Sequence, residues 1–214
     1  MSTARRVHLL TALVAATAVV LQLVLVIDGA NTLLPEEDAS LGTRLVQFFV
    51  YFTILTNLLV LAVTVSLARE PDRDGRVWRV LRLDAVVCIA VTGVVHWFFL
   101  RPLLDLSGAS YVADKLLHVV VPILAVGGWL WVGPRGRASQ AELLPSLALP
   151  VVWLVLTLLG GALSGWYPYP FLDVDDLGYA RVAVNCVGVA VLFLLNAAGA
   201  IGLDRRLRRW MPSS

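Results

Sequence analysis

Apolar residues run along this chain in long blocks, and polar residues are confined to the gaps between blocks and to isolated positions within them. A helix needs about 20 mostly apolar residues to cross a hydrocarbon core of about 30 Å. Six blocks meet that length: Val7 to Ile27, Leu45 to Ala68, Leu83 to Leu100, Leu116 to Val132, Leu143 to Leu163 and Tyr179 to Leu203. Lipid offers the backbone no hydrogen-bond partner, so each block must satisfy its own amides as a helix. The pattern predicts an all-α integral membrane protein, one bundle of six transmembrane helices over residues 1–214, with short connections and no room for a soluble domain. The first block follows Arg5 and Arg6 as a secretion signal would. It exceeds the roughly 7 to 15 apolar residues of a signal and reads as a retained span. The spans show no internal repeat.

Composition narrows the class. Of 214 residues, 59% are hydrophobic and 15% charged, with a mean hydropathy of +0.82; a soluble domain has about 45 to 50% and about 25%. A disordered chain is excluded, as is a disulfide scaffold, because there are only two cysteines, Cys88 and Cys186. A net charge of +2 argues against nucleic acid as a partner. In a six-span topology Arg44, Arg101, Lys115 and Arg181 fall on one side, and the other 13 of the 17 basic residues, from Arg5 to Arg209, fall on the other. The positive-inside rule makes the richer side cytoplasmic, with both termini on it. Trp78, Trp129, Trp131 and Trp210 then mark inner edges, and Trp97 and Trp166 outer ones. The expected partner is the bilayer, including anionic headgroups on the basic side. Lys115 is the sole lysine; that Arg bias, with heavy Ala, Val, Leu and Gly usage, suggests a GC-rich genome and hence a bacterial plasma membrane.

Polar side chains inside a membrane are costly and face the bundle interior or a cavity, which makes them candidates for function. The second span carries Thr53, Thr56 and Asn57 on one helical face. The third carries Asp84, Cys88, Thr92 and His96 at intervals of four, a slowly winding polar stripe. His118 lies in the segment Asp114-Lys-Leu-Leu-His118-Val-Val-Val-Pro122 near the start of the fourth span, and Asn185 in the outer part of the sixth. Thr157, Gly160, Gly161 and Ser164 on the fifth read as close helix packing. An outer loop, Ser164 to Asp173, has no basic residue and is dense in aromatics and prolines, suited to capping a cavity mouth. Asp173, Asp175 and Asp176 read as a solvated acidic loop, and no metal or cofactor is expected. Sorted by depth, Thr53, Asn57, His96, His118, Tyr167 and Asn185 gather in the outer half of the membrane, as a cavity opening to the outer leaflet requires.

The segment Gly165-Trp-Tyr-Pro-Tyr-Pro-Phe-Leu-Asp173 followed by Gly178-Tyr-Ala-Arg181, with His118 before Pro122 and the aromatic-flanked Phe52-Thr53, resembles the androgen-induced and androgen-dependent membrane proteins, the FAR-17a/AIG1-like hydrolases, and their bacterial Pr6Pr relatives. That resemblance implies an intramembrane threonine hydrolase that cleaves lipid esters of the type formed between fatty acids and hydroxy fatty acids. It implies Thr53 as nucleophile and His118 as base, with Thr56 the alternative nucleophile. Thr56, Asn57, His96, Tyr167 and Asn185 are then the candidates to line the substrate site, with Asn57, Asn185 or Tyr167 donating to an oxyanion. The competing expectation is a non-catalytic transporter or lipid-binding scaffold. A dyad demands hydrogen-bond distance, roughly 2.6 to 3.2 Å. Counting about 1.5 Å per residue puts Thr53 about 13 Å below Arg44 but His118 only about 6 Å below Asp114, a mismatch of about 7 Å that helix tilt or a later start of the second span must close.

Overall fold

The computed structural model describes residues 1–29 and 39–210, with side chains as far as Arg208. The side chains of Arg209 and Trp210, used above for orientation, lie outside the described residues. The described chain is helical throughout: α1 (Thr3–Ile27), α2 (Leu41–Val50), α3 (Phe52–Arg69), α4 (Arg76–Val95), α5 (Gly108–Lys115), α6 (Val121–Val132), α7 (Gln140–Leu143), α8 (Ala148–Ser164) and α9 (Val174–Trp210). π turns over His96–Leu100 and Leu116–Val120 extend α4 and join α5 to α6. Six of the resulting rods are long and apolar enough to cross a membrane.

Helix ends follow local chemistry. Ser2 and Ser40 cap α1 and α2 by accepting from the amides of Arg5 and Thr43. Ser139 and Glu142 form a capping box at α7. Gly165, at φ 73°, ends α8 in the left-handed region. Arg44 donates through Nη1 to the Val26 carbonyl at 2.8 Å, satisfying the last turn of α1.

The second span is two helices rather than one. Tyr51, at φ −61° and ψ 124°, is extended, and the run Phe48-Phe49-Val50-Tyr51-Phe52 is made of aromatic and β-branched residues that hold a helix poorly. The two π turns also have a local cause. The Pro122 ring has no N–H for the His118 carbonyl four residues back and crowds it, and the chain widens so that Val121 N–H bonds Leu116 O. Arg101 N–H bonds His96 O in the same way just before Pro102.

Two apolar clusters build the interior. One joins α1, α3, one face of α4 and the start of α6 through Ala15, Val19, Val60, Ile89 and Val121. The other joins the opposite face of α4 to α9 and the outer loop through Val87, Val91, Leu172, Phe193 and Ala197. Helix α8 packs closely on the turn Pro145–Leu147 before it and meets the second apolar cluster through side chains including Leu149, Trp153, Leu154 and Leu158. The first residues of α1 and the last described residues of α9 share one end of the bundle. There Arg5 donates to Arg69 O at 3.2 Å, Arg82 to Pro134 O at 3.3 Å and Ala138 N–H to Asp204 at 3.1 Å. Asp74 pairs with Arg79 at 2.7 Å and with Arg137. The Arg79 guanidinium above all, helped by the Gly75 amide, holds the Asp74 carboxyl well below the usual carboxylate range.

The close helix packing expected of the fifth span is not what its small residues do: Gly160 faces open space, Ser164 is exposed, and at Gly161 a Cβ would lie 2.0 Å from the ring of the loop residue Tyr167. Gly161→Ala is therefore expected to destabilise the fold by about 1 to 3 kcal/mol, the range for overfilling a packed interior. Thermal unfolding in detergent measures this, and an unchanged midpoint would contradict the packing described.

Candidate functional site

Thr53 is the second residue of α3, so it sits at a helix N-terminus in the interior of the bundle. Its Oγ1 lies 3.1 Å from His118 Nε2. His118 Nδ1 lies 3.0 Å from the backbone carbonyl of Asp114 and 3.1 Å from that residue's carboxylate Oδ1. Both neighbours of Nδ1 are acceptors, so the neutral ring carries its proton there and turns the Nε2 lone pair toward the Thr53 hydroxyl. Asp114 Oδ2 accepts from Lys115 Nζ at 2.6 Å, which compensates a buried carboxylate.

His96 completes this group. Its ring stacks on that of His118, with centroids 3.7 Å apart and planes 10° from parallel, and its Nε2 lies 3.2 Å from Asp114 Oδ1. Such proximity needs α4 and the second π turn to touch. At Gly93 they do, since a Cβ there would lie 3.2 Å from the His118 carbonyl oxygen. His96, Asp114 and His118 offer ligand atoms within 4.8 Å of one another, a donor set of the kind that holds a cation. Stacked parallel rings, however, direct their in-plane lone pairs side by side. One ion could take both nitrogens only if the stack opened; the arrangement present is a chain from Thr53 through His118 to Asp114, with the His96 ring stacked beside it and its Nε2 close to the carboxylate but not hydrogen-bonded to it.

The remaining polar residues of α3 brace the site. Thr56 Oγ1 donates to Thr53 O at 3.1 Å and lies 3.1 Å from Thr92 Oγ1 on α4. Asn57 Nδ2 donates to Thr53 O at 2.8 Å and to Leu117 O at 3.3 Å, tying α3 to the second π turn. Asn185 Nδ2 donates to Phe171 O at 2.9 Å and anchors the outer loop. Tyr167 goes elsewhere, its ring against Gly161. The tyrosine that reaches Thr53 is Tyr169: Thr53 N–H donates to its hydroxyl at 3.4 Å, and the two hydroxyl oxygens are also 3.4 Å apart. Asp173 Oδ1 accepts from the amides of Asp175 and Asp176 and so caps the first turn of α9.

The depth mismatch drawn from the sequence disappears because the fourth span starts earlier than its apolar block. Helix α5 begins at Gly108 and α2 at Leu41. From Gly108 His118 lies roughly 15 Å along its rod, and Thr53 is not deep in one straight helix, because the chain breaks at Tyr51 and Thr53 is the second residue of α3.

Two cavities meet at Thr53. One of about 130 Å³ is lined by apolar residues of α4, α8 and α9, including Val91, Val95, Leu154 and Phe193. The other, of about 100 Å³, is lined by Gln22, Ser110, Asp114, His96 and His118 beside Phe48 and Leu104. Thr53, Leu100 and Tyr169 line both. Sequence reasoning passed over Asp114, although its i,i+4 spacing to His118 was a signal. It also chose Tyr167 over Tyr169, for which the repeated Tyr-Pro offered no discrimination. No protein-family profile, curated protein or solved structure matches the chain.

Because Asn57 holds the Thr53 and Leu117 carbonyls together, Asn57→Ala is expected to cost about 1 kcal/mol of stability, within the range measured for side-chain hydrogen bonds in membranes. Reversible unfolding in mixed micelles reads it, and a stability equal to wild type would show the tether idle.

Proposed function

We propose that this protein is an intramembrane lipid esterase in which Thr53 is the nucleophile, His118 the general base and Asp114 the residue that orients His118. The observation that carries the reading is the continuous chain from Thr53 Oγ1 to His118 Nε2 and from His118 Nδ1 to Asp114, at 3.1 and 3.1 Å. An unactivated hydroxyl is a weak nucleophile, and this is the spatial order of nucleophile, base and orienting carboxylate that activates one. Thr56 is the weaker candidate, because its hydroxyl is turned to Thr92 and the Thr53 carbonyl.

In the proposed reaction Thr53 Oγ1 bonds to the ester carbonyl carbon while its proton passes to His118 Nε2. The tetrahedral adduct collapses, the bond to the alcohol oxygen breaks, and His118 returns the proton to that oxygen. Water then attacks the threonyl ester with His118 again taking the proton, and a fatty acid leaves as Thr53 is regenerated. The apolar cavity suits an acyl chain, and the polar one suits the alcohol part and the water. The resemblance of the outer-loop and His-Pro segments points to esters of hydroxy fatty acids as the substrate class. The Arg-rich end of the bundle, which gathers the first residues of α1 and the last described residues of α9, is taken as cytoplasmic, so the site opens toward the outer leaflet of a bacterial plasma membrane.

Purified protein is expected to hydrolyse a long-chain acyl ester and to react with a fluorophosphonate probe, with both properties lost in Thr53→Ala and His118→Ala and kept in Thr56→Ala. Labelling that survives Thr53→Ala but vanishes in Thr56→Ala would move the nucleophile. Folded wild-type protein showing neither turnover nor label would leave a lipid-binding scaffold as the reading. Asp114→Asn keeps the shape but removes the charge that holds the His118 proton in place, and is expected to lower kcat by about 10²- to 10⁴-fold, read from initial rates. Unchanged kcat would remove Asp114 from the mechanism.

A further inference from the structure

The break at Tyr51 leaves the first amides of α3 without acceptors from the preceding turn, and the Tyr169 hydroxyl stands where one of them points. This hydroxyl lies 3.4 Å from the Thr53 N–H nitrogen and 3.4 Å from Thr53 Oγ1, the atom that would attack. We propose that Tyr169 is the oxyanion donor of the site, its phenol donating to the carbonyl oxygen of an ester as that oxygen gains charge on attack by Thr53. The proposal rests on the esterase reading above and adds to it the residue that stabilises the adduct.

Position is the first argument. The oxygen that becomes the oxyanion is attached to the same carbon as Oγ1, and a donor 3.4 Å from Oγ1 can reach it at the roughly 2.7 to 3.1 Å that such donors need. The shared wall of the two cavities is formed by Thr53, Leu100 and Tyr169. A substrate with its acyl chain in one cavity and its alcohol part in the other must pass its carbonyl beside this hydroxyl.

Electrostatics is the second. A phenol that accepts a backbone N–H is polarised and donates its own proton more strongly. Here the N–H belongs to a helix N-terminus, whose partial positive charge favours a developing anion. Burial pushes the Tyr169 phenol up to about 12, so at neutral pH it is a donor and holds its proton.

Rigidity is the third. The Tyr169 ring stacks on Phe171 at 5.3 Å and meets Tyr51 and Trp153 edge-on at 5.7 and 5.9 Å. Pro168 and Pro170 flank it, and Asn185 holds the next turn through Phe171 O. The donors named from the sequence are committed elsewhere: Asn57 Nδ2 to two carbonyls, Asn185 Nδ2 to Phe171 O, and the Tyr167 ring to Gly161.

The test compares Tyr169→Phe with wild type and Thr53→Ala in the full chain in detergent, using a 4-nitrophenyl ester of a medium-chain fatty acid and a fluorophosphonate. Removing one oxyanion donor lowers kcat by about 10²- to 10³-fold. Tyr169→Phe is expected to show that loss with little change in KM, and a matching slowing of fluorophosphonate labelling. An active wild type, an inert Thr53→Ala and a Tyr169→Phe within threefold of wild-type kcat would overturn the oxyanion assignment alone. Full activity in Thr53→Ala would instead sink the esterase reading beneath it. Should Tyr169→Phe fail to fold, site-specific 3-fluorotyrosine at 169 replaces it. Its fluorine resonance is expected to shift when Thr53 is phosphonylated, because the bound phosphonyl oxygen stands in for the oxyanion, and an unmoved resonance would overturn the assignment.

Discussion

A break in a helix is expensive in lipid, because each freed amide or carbonyl must find a partner inside the protein. The second span breaks at Tyr51, and its freed groups recruit the residues that define the site. Trp153 on α8 donates to Val50 O at 2.7 Å, and Tyr169 from the outer loop accepts from Thr53 N–H. Helix α8 and the loop before α9 thereby meet at the same point. Thr53 sits just after that break, where the first amides of α3 take partners from outside the helix, among them the Tyr169 hydroxyl.

The imidazoles come from two other helices that are also distorted, and the distortions are connected to proline. Pro122 and Pro102 each withhold an N–H, and the chain answers with a π turn that carries a histidine. Gly93 allows those turns to come within contact, so the rings stack and share one carboxylate. Asp114 is held by His118 and Lys115, with His96 Nε2 3.2 Å from its Oδ1, in a region where an isolated carboxylate would be unsustainable. Three helices thus meet at one polar point because each departs from regular geometry there.

The two ends of the bundle are built for different tasks. At the Arg-rich end, exposed pairs such as Arg79 with Asp74 lie in high dielectric and add little stability. The polar groups near Thr53 are buried and connected, so their placement decides local structure more than their number suggests. The loop before α9 belongs with the interior: Tyr169, outside any span by sequence, is almost wholly buried.

Six apolar blocks separated by charged gaps were enough to specify an all-helical chain with six rods of membrane-crossing length, since that outcome depends only on backbone satisfaction and segment length. The polar face of Thr53, Thr56 and Asn57 and the stripe ending at His96 were equally legible, because periodicity on one helix is a local property. Depth was misjudged: the fourth rod begins at Gly108, where polar residues such as Ser110 and Asp114 hide the start of a helix from a count of apolar positions. His118 was set beside Thr53 in the sequence only through a resemblance; their 3.1 Å contact, the stacking on His96 and the place of Tyr169 rather than Tyr167 were decided by the tertiary structure. Each depends on where separate helices touch, and contacts between distant segments leave no period in the sequence.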